Sequence, residues 1–299
     1  MELDLSCHLS VITGDADPAG LIPILGRLRE MGYRHAVLAP LDEGSTDSAA
    51  LRDAFIDADV SPITMCAQGP GADVSSPDPA ERAAGAAALR ASVDFAVRVG
   101  ADQVGGVPYG LFGRPTEPLP PEGFERSARE VGTVADYAAD HGVQLTFEVL
   151  NRYEEAAINT AVQAMEYVSA SGSDNLGIHL DTFHMAVEEA DMSEAIRHVL
   201  PYLRYLELGQ SGRGRLSTGA IDIPGVVQAA FDDGYQGRIG VEAFSRPLLD
   251  DGVSDMLSIW RAPYDDGLEL ASDAVRVIRA GWAASIPGRR ARRLSRSGA

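Results

Sequence analysis

The chain has 299 residues, 45% hydrophobic and only 6% aromatic, with 44 acidic residues against 25 basic ones and a formal net charge of -19. That charge repels phosphate backbones, and so few aromatic rings leave little for bases to stack on, so nucleic acid is excluded as a partner. The sequence contains no lysine, which excludes Schiff-base chemistry through a lysine amine and a lysine-bearing phosphate loop.

Short apolar runs of β type alternate with longer helical patterns. Residues 3–10 read as a first strand. A helix follows over 19–31, with Leu21, Ile22, Ile24, Leu25 and Leu28 on one face and Gly32 closing it. Strand 35–40, helix 46–58 and strand 62–67 come next, then a long helix over 78–99 that stops at Gly100. Strand 102–109 leads into a loop with Pro115, Pro118, Pro120 and Pro121. The rhythm then repeats: helix 124–141, strand 144–150, helix 160–170, strand 176–182, helix 193–203, strand 205–210, helix 224–232, strand 238–244 and helix 268–282.

Eight strand–helix units in about 285 residues predict a single (β/α)8 barrel, an α/β fold with a parallel sheet, over residues 1–286. No strand is followed by a Gly-x-Gly-x-x-Gly turn, which counts against a dinucleotide-binding sheet. After Pro287 the composition turns to Arg289, Arg290, Arg292, Arg293 and Arg296 with almost nothing apolar, so residues 287–299 read as a disordered arginine-rich tail. Cys7 and Cys66 are too few for a disulfide framework or a thiolate zinc site. The opening Met1-Glu2-Leu3-Asp4 carries acids where an export signal carries bases, and no apolar run reaches the length of a membrane span. The expectation is a cytoplasmic protein with no membrane partner.

Active residues in such barrels sit at the C-terminal ends of the strands. Four successive strands carry a carboxylate there: Glu148, Asp181, Glu207 and Glu242. Neighbouring parallel strands lie about 4.8 Å apart, so four such charges need protons, arginines or a divalent cation to offset their repulsion. Oxygen donors of this kind suit Mg²⁺ or Mn²⁺. Glu154, His184 and Arg213 follow these strands closely enough to lie in loops over the barrel mouth, where they can bind sugar hydroxyls.

The stretches Phe147-Glu148-Val149-Leu150-Asn151-Arg152-Tyr153-Glu154 and Leu180-Asp181-Thr182-Phe183-His184-Met185 resemble those of the ketose 3-epimerases, a branch of the xylose-isomerase-like barrels. Ser75-Ser76-Pro77-Asp78-Pro79, Val241-Glu242-Ala243-Phe244 and Ile259-Trp260-Arg261 support the resemblance, which reaches to about Trp282. It implies a metal-dependent isomerase that inverts C3 of a ketose through an enediolate. Mn²⁺ is the expected metal, with Mg²⁺ or Co²⁺ as alternatives. Glu148 and Glu242 match the two catalytic glutamates, which also hold the metal with Asp181. Glu154, His184 and Arg213 match substrate-binding groups, and Cys66 falls at a pocket position. A homo-oligomer, dimer or tetramer, is expected.

One departure stands out. Where the family carries a histidine ligand on the seventh strand, this chain has Glu207, and Gln210 stands in place of a glutamate. A carboxylate there predicts a preference for Mn²⁺ or Mg²⁺ over Zn²⁺. The rival readings are an aldose–ketose or inosose isomerase, the subunit of a metal-dependent C-glycoside lyase, and a non-catalytic sugar-binding barrel.

Overall fold

The computed structural model describes residues 3–41 and 46–297. Its eight strands are β1 (Ser6–His8), β2 (His35–Val37), β3 (Ser61–Gln68), β4 (Gln103–Leu111), β5 (Gln144–Val149), β6 (Leu176–Asp181), β7 (Leu203–Leu208) and β8 (Arg238–Val241). They pair in parallel in the order β1 to β8. A parallel bridge between Leu5 and Ile239 brings the last strand against the first. The helices are α1 (Pro18–Met31), α2 (Ser48–Asp57), α3 (Pro79–Val99), α4 (Pro121–Asp140), α5 (Ala161–Ser171), α6 (Thr182–Glu188), α7 (Met192–Val199), α8 (Ile223–Asp232), α9 (Asp251–Met256), α10 (Gly267–Ala284) and α11 (Ile286–Ser297). The predicted (β/α)8 barrel is the observed fold.

Local chemistry sets the helix starts. Asp17, Asp47, Asp78, Asp181, Asp191, Asp222, Asp250 and Asp266 each cap a helix by accepting a hydrogen bond from a backbone N–H of its first turn. A carboxylate at that end also opposes the positive pole of the helix dipole. Part of the acidic excess is therefore spent on fixing where helices begin.

Alternation along the strands sorts side chains to two sides. Leu145, Phe147, Ile178, Leu180, Leu206 and Leu208 face the helices and join the main core. The other set fills the barrel in layers. At the floor, Arg238 donates to Gln103 Oε1 (2.8 Å) and Asp102 Oδ2 (2.6 Å), and the Asp4 carboxylate pairs with His35 at 2.9 Å. Above lies an apolar plug of Val37, Ile63, Met65 and Tyr205. Above that, at the strand ends, stand the carboxylates.

β4 bends where it passes β3. Gly106 has φ +96, and a Cβ there would lie 2.3 Å from the Cys66 carbonyl oxygen, so only glycine fits this close approach.

The structure departs from the sequence reading in three places. Residues 183–188, expected as a loop, form α6 together with Thr182, expected as the strand's last residue, because Asp181 ends β6 and caps the helix in one step by accepting from Phe183 N–H (2.9 Å). A second short helix, α9, precedes the last long one. The tail expected to be disordered is helix α11 as far as Ser297. Its Arg289 and Arg292 donate to the Ala284 and Ala283 carbonyls at the end of α10, where cations oppose the negative pole of the dipole. Gly288 lets the chain pass against the Trp282 carbonyl.

Candidate active site

Glu148, Asp181, Glu207 and Glu242 gather at the C-terminal mouth, each at least 95% buried. Register explains the gathering: Glu148 lies opposite His179 across β5 and β6, and Asp181 lies opposite Glu207 across β6 and β7. Such a cluster persists only if each charge has an answer. Arg213 Nη1 donates to Asp181 Oδ2 (2.9 Å) and to Glu242 Oε2 (2.6 Å). His184 Nε2 stands 3.4 Å from Glu148 Oε1 and 3.8 Å from Asp181 Oδ2. His8 Nε2 lies 3.7 Å from Glu242 Oε1. His179 Nε2 lies 3.1 Å from Glu207 Oε2. The four carboxylates thus alternate with nitrogen groups.

Among the described residues, two donor groups are close enough to hold a metal ion: Glu148, Asp181 and His184, and Glu148, His179 and Glu207. In each, one donor atom per residue lies within 4.8 Å of the others.

The electrostatics follow from burial and these partners. Burial works to raise Glu148, but the charges of His179, His184 and Arg213 outweigh it and bring the carboxyl down to about 2. Burial and the other carboxylates push Glu242 up, against the pull of Arg213. Burial lowers His8 to about 4, which leaves its imidazole neutral. For His179 burial is outweighed by Glu148, Glu207 and Asp181, which raise it to about 9.

His184 is fixed from behind. Its Nδ1 accepts from the Asn151 backbone N–H (3.2 Å) and stands 2.7 Å from Asn151 Nδ2, which aims Nε2 into the site. The same Asn151 amide donates to Glu154 Oε1 at 2.8 Å. Arg213 is braced by the Phe183 ring, whose centroid lies 3.7 Å from its guanidinium carbon. Gly209 permits the approach: a Cβ there would lie 2.8 Å from Asp181 Oδ1 and 3.0 Å from Arg213 Nη1.

Above the carboxylates opens a pocket of about 640 Å³, bordered by Glu154, Arg213, Phe112, Phe183, Phe244 and Trp260 among others. Of the site residues expected from the sequence, Glu154 and Arg213 border this pocket, while Glu148, Asp181, His184, Glu207 and Glu242 lie buried without bordering it. Cys66 is not among the residues bordering this pocket; its Sγ donates to the Gly105 carbonyl (3.3 Å), and burial pushes the thiol up to about 12. Gln210 turns away from the carboxylates. Its side chain accepts from Ile221 N–H (2.9 Å) and donates to the Ile221 carbonyl (3.0 Å), tying down the loop that carries Arg213.

His8 and His179 went unremarked in the sequence. The signal for His179 was its position two residues before Asp181 on one strand, which puts both on the same face.

Comparison with known proteins agrees with this geometry. The sequence profile of the xylose isomerase-like TIM barrel family matches residues 25–279. The chain is 36% identical over 277 residues to a ketose 3-epimerase of Arthrobacter globiformis, covering 93% of this chain and 96% of that protein. It is 31% identical to an L-ribulose 3-epimerase of Methylomonas sp. (strain DH-1), covering 93% and 97%. Among solved structures, an L-ribulose 3-epimerase superimposes with a TM-score of 0.90 at 31% identity, covering 98% of each chain. A D-allulose 3-epimerase from Methylomonas sp. does so with a TM-score of 0.88 at 30% identity, covering 94% of this chain and 98% of that one. This chain belongs to the xylose isomerase-like TIM barrel family and, within it, to the ketose 3-epimerases, which are isomerases.

Proposed function

We propose that the protein inverts C3 of a free ketose by proton transfer between Glu148 and Glu242, with a divalent cation, Mn²⁺ in the first instance, held at the carboxylate cluster. The observation that carries this reading is the cluster itself: four buried carboxylates, each faced by a nitrogen group, one of which, Arg213, also borders a sugar-sized pocket. The donors fit a dication, since Glu148, Asp181 and Glu207 bring carboxylate oxygens into two groups whose donor atoms lie within 4.8 Å of one another. Glu148, Asp181, Glu207 and Glu242 would hold it. Bound there, it would stabilise negative charge on the substrate's carbonyl oxygen as the proton leaves.

Glu148 rises from β5 and Glu242 follows β8, three strands apart around the mouth. One carboxylate takes the hydrogen on C3 as a proton, and the electron pair left behind is delocalised onto the C2 oxygen. The other carboxyl returns a proton to C3 from the opposite face, and configuration inverts. Asn151 holds His184 with Nε2 presented to the substrate oxygens, and Arg213 donates beside it. Glu154 accepts from a sugar hydroxyl at the pocket edge. Phe183, Phe244 and Trp260 offer apolar faces to the carbon skeleton and restrict water.

The test is a screen of D-fructose, D-tagatose, D-allulose and L-ribulose in D₂O with Mn²⁺, Mg²⁺ or Co²⁺ added in turn, read by NMR. The expected result is deuterium at C3 together with the C3 epimer. Deuterium at C1 with an aldose product would assign an aldose–ketose isomerase instead. No exchange in any ketose would leave a sugar-binding barrel.

A further inference from the structure

Behind His184 the polar groups of one residue converge. Asn151 lies just beyond β5 and is buried, as is the imidazole. Its backbone N–H donates to His184 Nδ1 at 3.2 Å, and its side-chain nitrogen Nδ2 stands 2.7 Å from the same atom. A backbone N–H can only donate, so Nδ1 receives it through its lone pair and carries no proton. The side-chain amide agrees. Its Oδ1 accepts from Tyr153 N–H at 3.0 Å, and Nδ2 donates to Glu154 Oε1 at 2.8 Å. Turned over, the amide would set its oxygen against the Glu154 carboxylate and its N–H against that of Tyr153, so the network admits one orientation. One hydrogen of Nδ2 therefore serves Glu154 and the other His184. At the far side of the ring, Arg213 Nη2 stands 3.3 Å from Nε2. That one longer contact asks for a lone pair on Nε2, whereas two donors claim the lone pair on Nδ1. A neutral imidazole has a single ring nitrogen that accepts, and here it is Nδ1. Nε2 thus carries the proton, beside a guanidinium that can also only donate.

We propose that Asn151 is a positioning residue that selects the Nε2–H tautomer of His184, and that His184 and Arg213 thereby form a pair of donors for one substrate oxygen. Neither donor satisfies the other, and Glu148 Oε1, at 3.4 Å from Nε2, is long for a hydrogen bond. An oxygen acceptor set between the two nitrogens completes both. The C2 oxygen has that chemistry, since it gathers negative charge as the proton leaves C3. The opposite tautomer would turn a lone pair toward the same oxygen and repel it. Through its second hydrogen Asn151 also orients Glu154, so one amide sets two of the groups that meet the sugar. The substrate half of this inference rests on the C3 reading, whereas the tautomer is a property of the protein alone.

The test uses the full chain with ¹⁵N-labelled histidine. Two-bond ¹H–¹⁵N correlation spectra report which ring nitrogen of each of the six histidines holds the proton. His184 is assigned by the signal that His184→Gln removes. Wild type should show His184 protonated at Nε2 and bare at Nδ1, with no substrate present. Asn151→Asp keeps the side-chain shape but places an acceptor at Nδ1, and should move the proton toward Nδ1. Asn151→Asp/Glu154→Gln should do the same without an added charge. Asn151→Ala keeps the backbone donor and so should keep the tautomer. Turnover should fall by about 10–100-fold in Asn151→Asp, with a smaller change in KM, and less in Asn151→Ala. A role in packing alone predicts the reverse order, because alanine leaves the larger gap. Circular dichroism establishes that each variant is folded, and the wild-type spectrum decides the tautomer if a variant is not. A wild-type His184 protonated at Nδ1, or at both nitrogens, would overturn the proposal. So would a tautomer unchanged in folded Asn151→Asp and Asn151→Asp/Glu154→Gln. A chain that epimerises no ketose yet shows this tautomer pattern would refute the C3 reading and leave the selection by Asn151 standing.

Discussion

Replacing Arg213 by methionine removes the one cation that touches both Asp181 and Glu242, at 2.9 and 2.6 Å, while keeping an unbranched side chain of similar reach. The Arg213 side chain is only 12% exposed and its two partners are 0% and 7% exposed, so water cannot take over its role. Removing one partner from a buried ion pair costs about 3–5 kcal/mol, because the remaining charge is left uncompensated. The contact with Phe183 adds about 1–2 kcal/mol when desolvated, in part already counted within that figure. Arg213 sits at φ +54, but methionine would inherit the same backbone, so strain cancels in the comparison. For a chain of this size the loss lowers Tm by roughly 6–20 °C. The assay is thermal unfolding followed by circular dichroism, with EDTA and then with excess Mn²⁺. A dication bound to the same carboxylates at about 100 times its Kd returns about 2.7 kcal/mol, so the variant should gain more from Mn²⁺ than wild type does. A fall of less than about 2 °C in EDTA, or equal Mn²⁺ shifts in both proteins, would show that Arg213 is not the counter-charge of this cluster.

Glu148→Gln and Glu242→Gln should each lower turnover by about 10²–10⁴-fold with the fold intact, and a variant keeping a tenth of the activity would rule out proton transfer by that residue. Gly106→Ala should destabilise by about 2–5 kcal/mol, from a positive φ together with a backbone clash, seen as a lower urea midpoint with an unchanged slope. At the barrel floor, burial works against it, yet Arg238 holds Asp102 below its usual value of 3.8. The folded value lies under the unfolded one, so this contribution is complete above pH 3.8 and is lost as pH falls through the lowered value. Asp102→Asn should therefore flatten the fall of Tm below pH 4 relative to wild type, and parallel curves would count against the pairing.

The barrel was legible because apolar runs flanked by breakers mark the strands and the long helices α1, α3 and α10 each carry an aspartate cap, although α4 has none. Glu148, Asp181, Glu207 and Glu242 were legible because a charge inside an apolar strand needs a reason. What escaped notice was pairing across strands. His179 looks like one polar residue in Ile178-His179-Leu180, and only the register that sets Glu148 opposite it reveals its company. His8 escaped for the same reason, since Glu242 lies 234 positions along the chain. The seven-residue α6 is too short to show a helical period, and α11 has the composition of a solvated tail. Its order comes from carbonyl partners at the end of α10, which no local pattern records.

The carboxylates rise from β5 to β8, whereas the rim over β4 brings Phe112, Gly113 and Arg114 to the pocket. On the proposed reading, part of the pocket wall is therefore encoded apart from the acids. A library confined to codons 112–114 would reshape that side of the pocket and leave each acid with its nitrogen partner. Sugars of other chain lengths or configurations could then be recruited in the laboratory without re-evolving the proton-transfer apparatus.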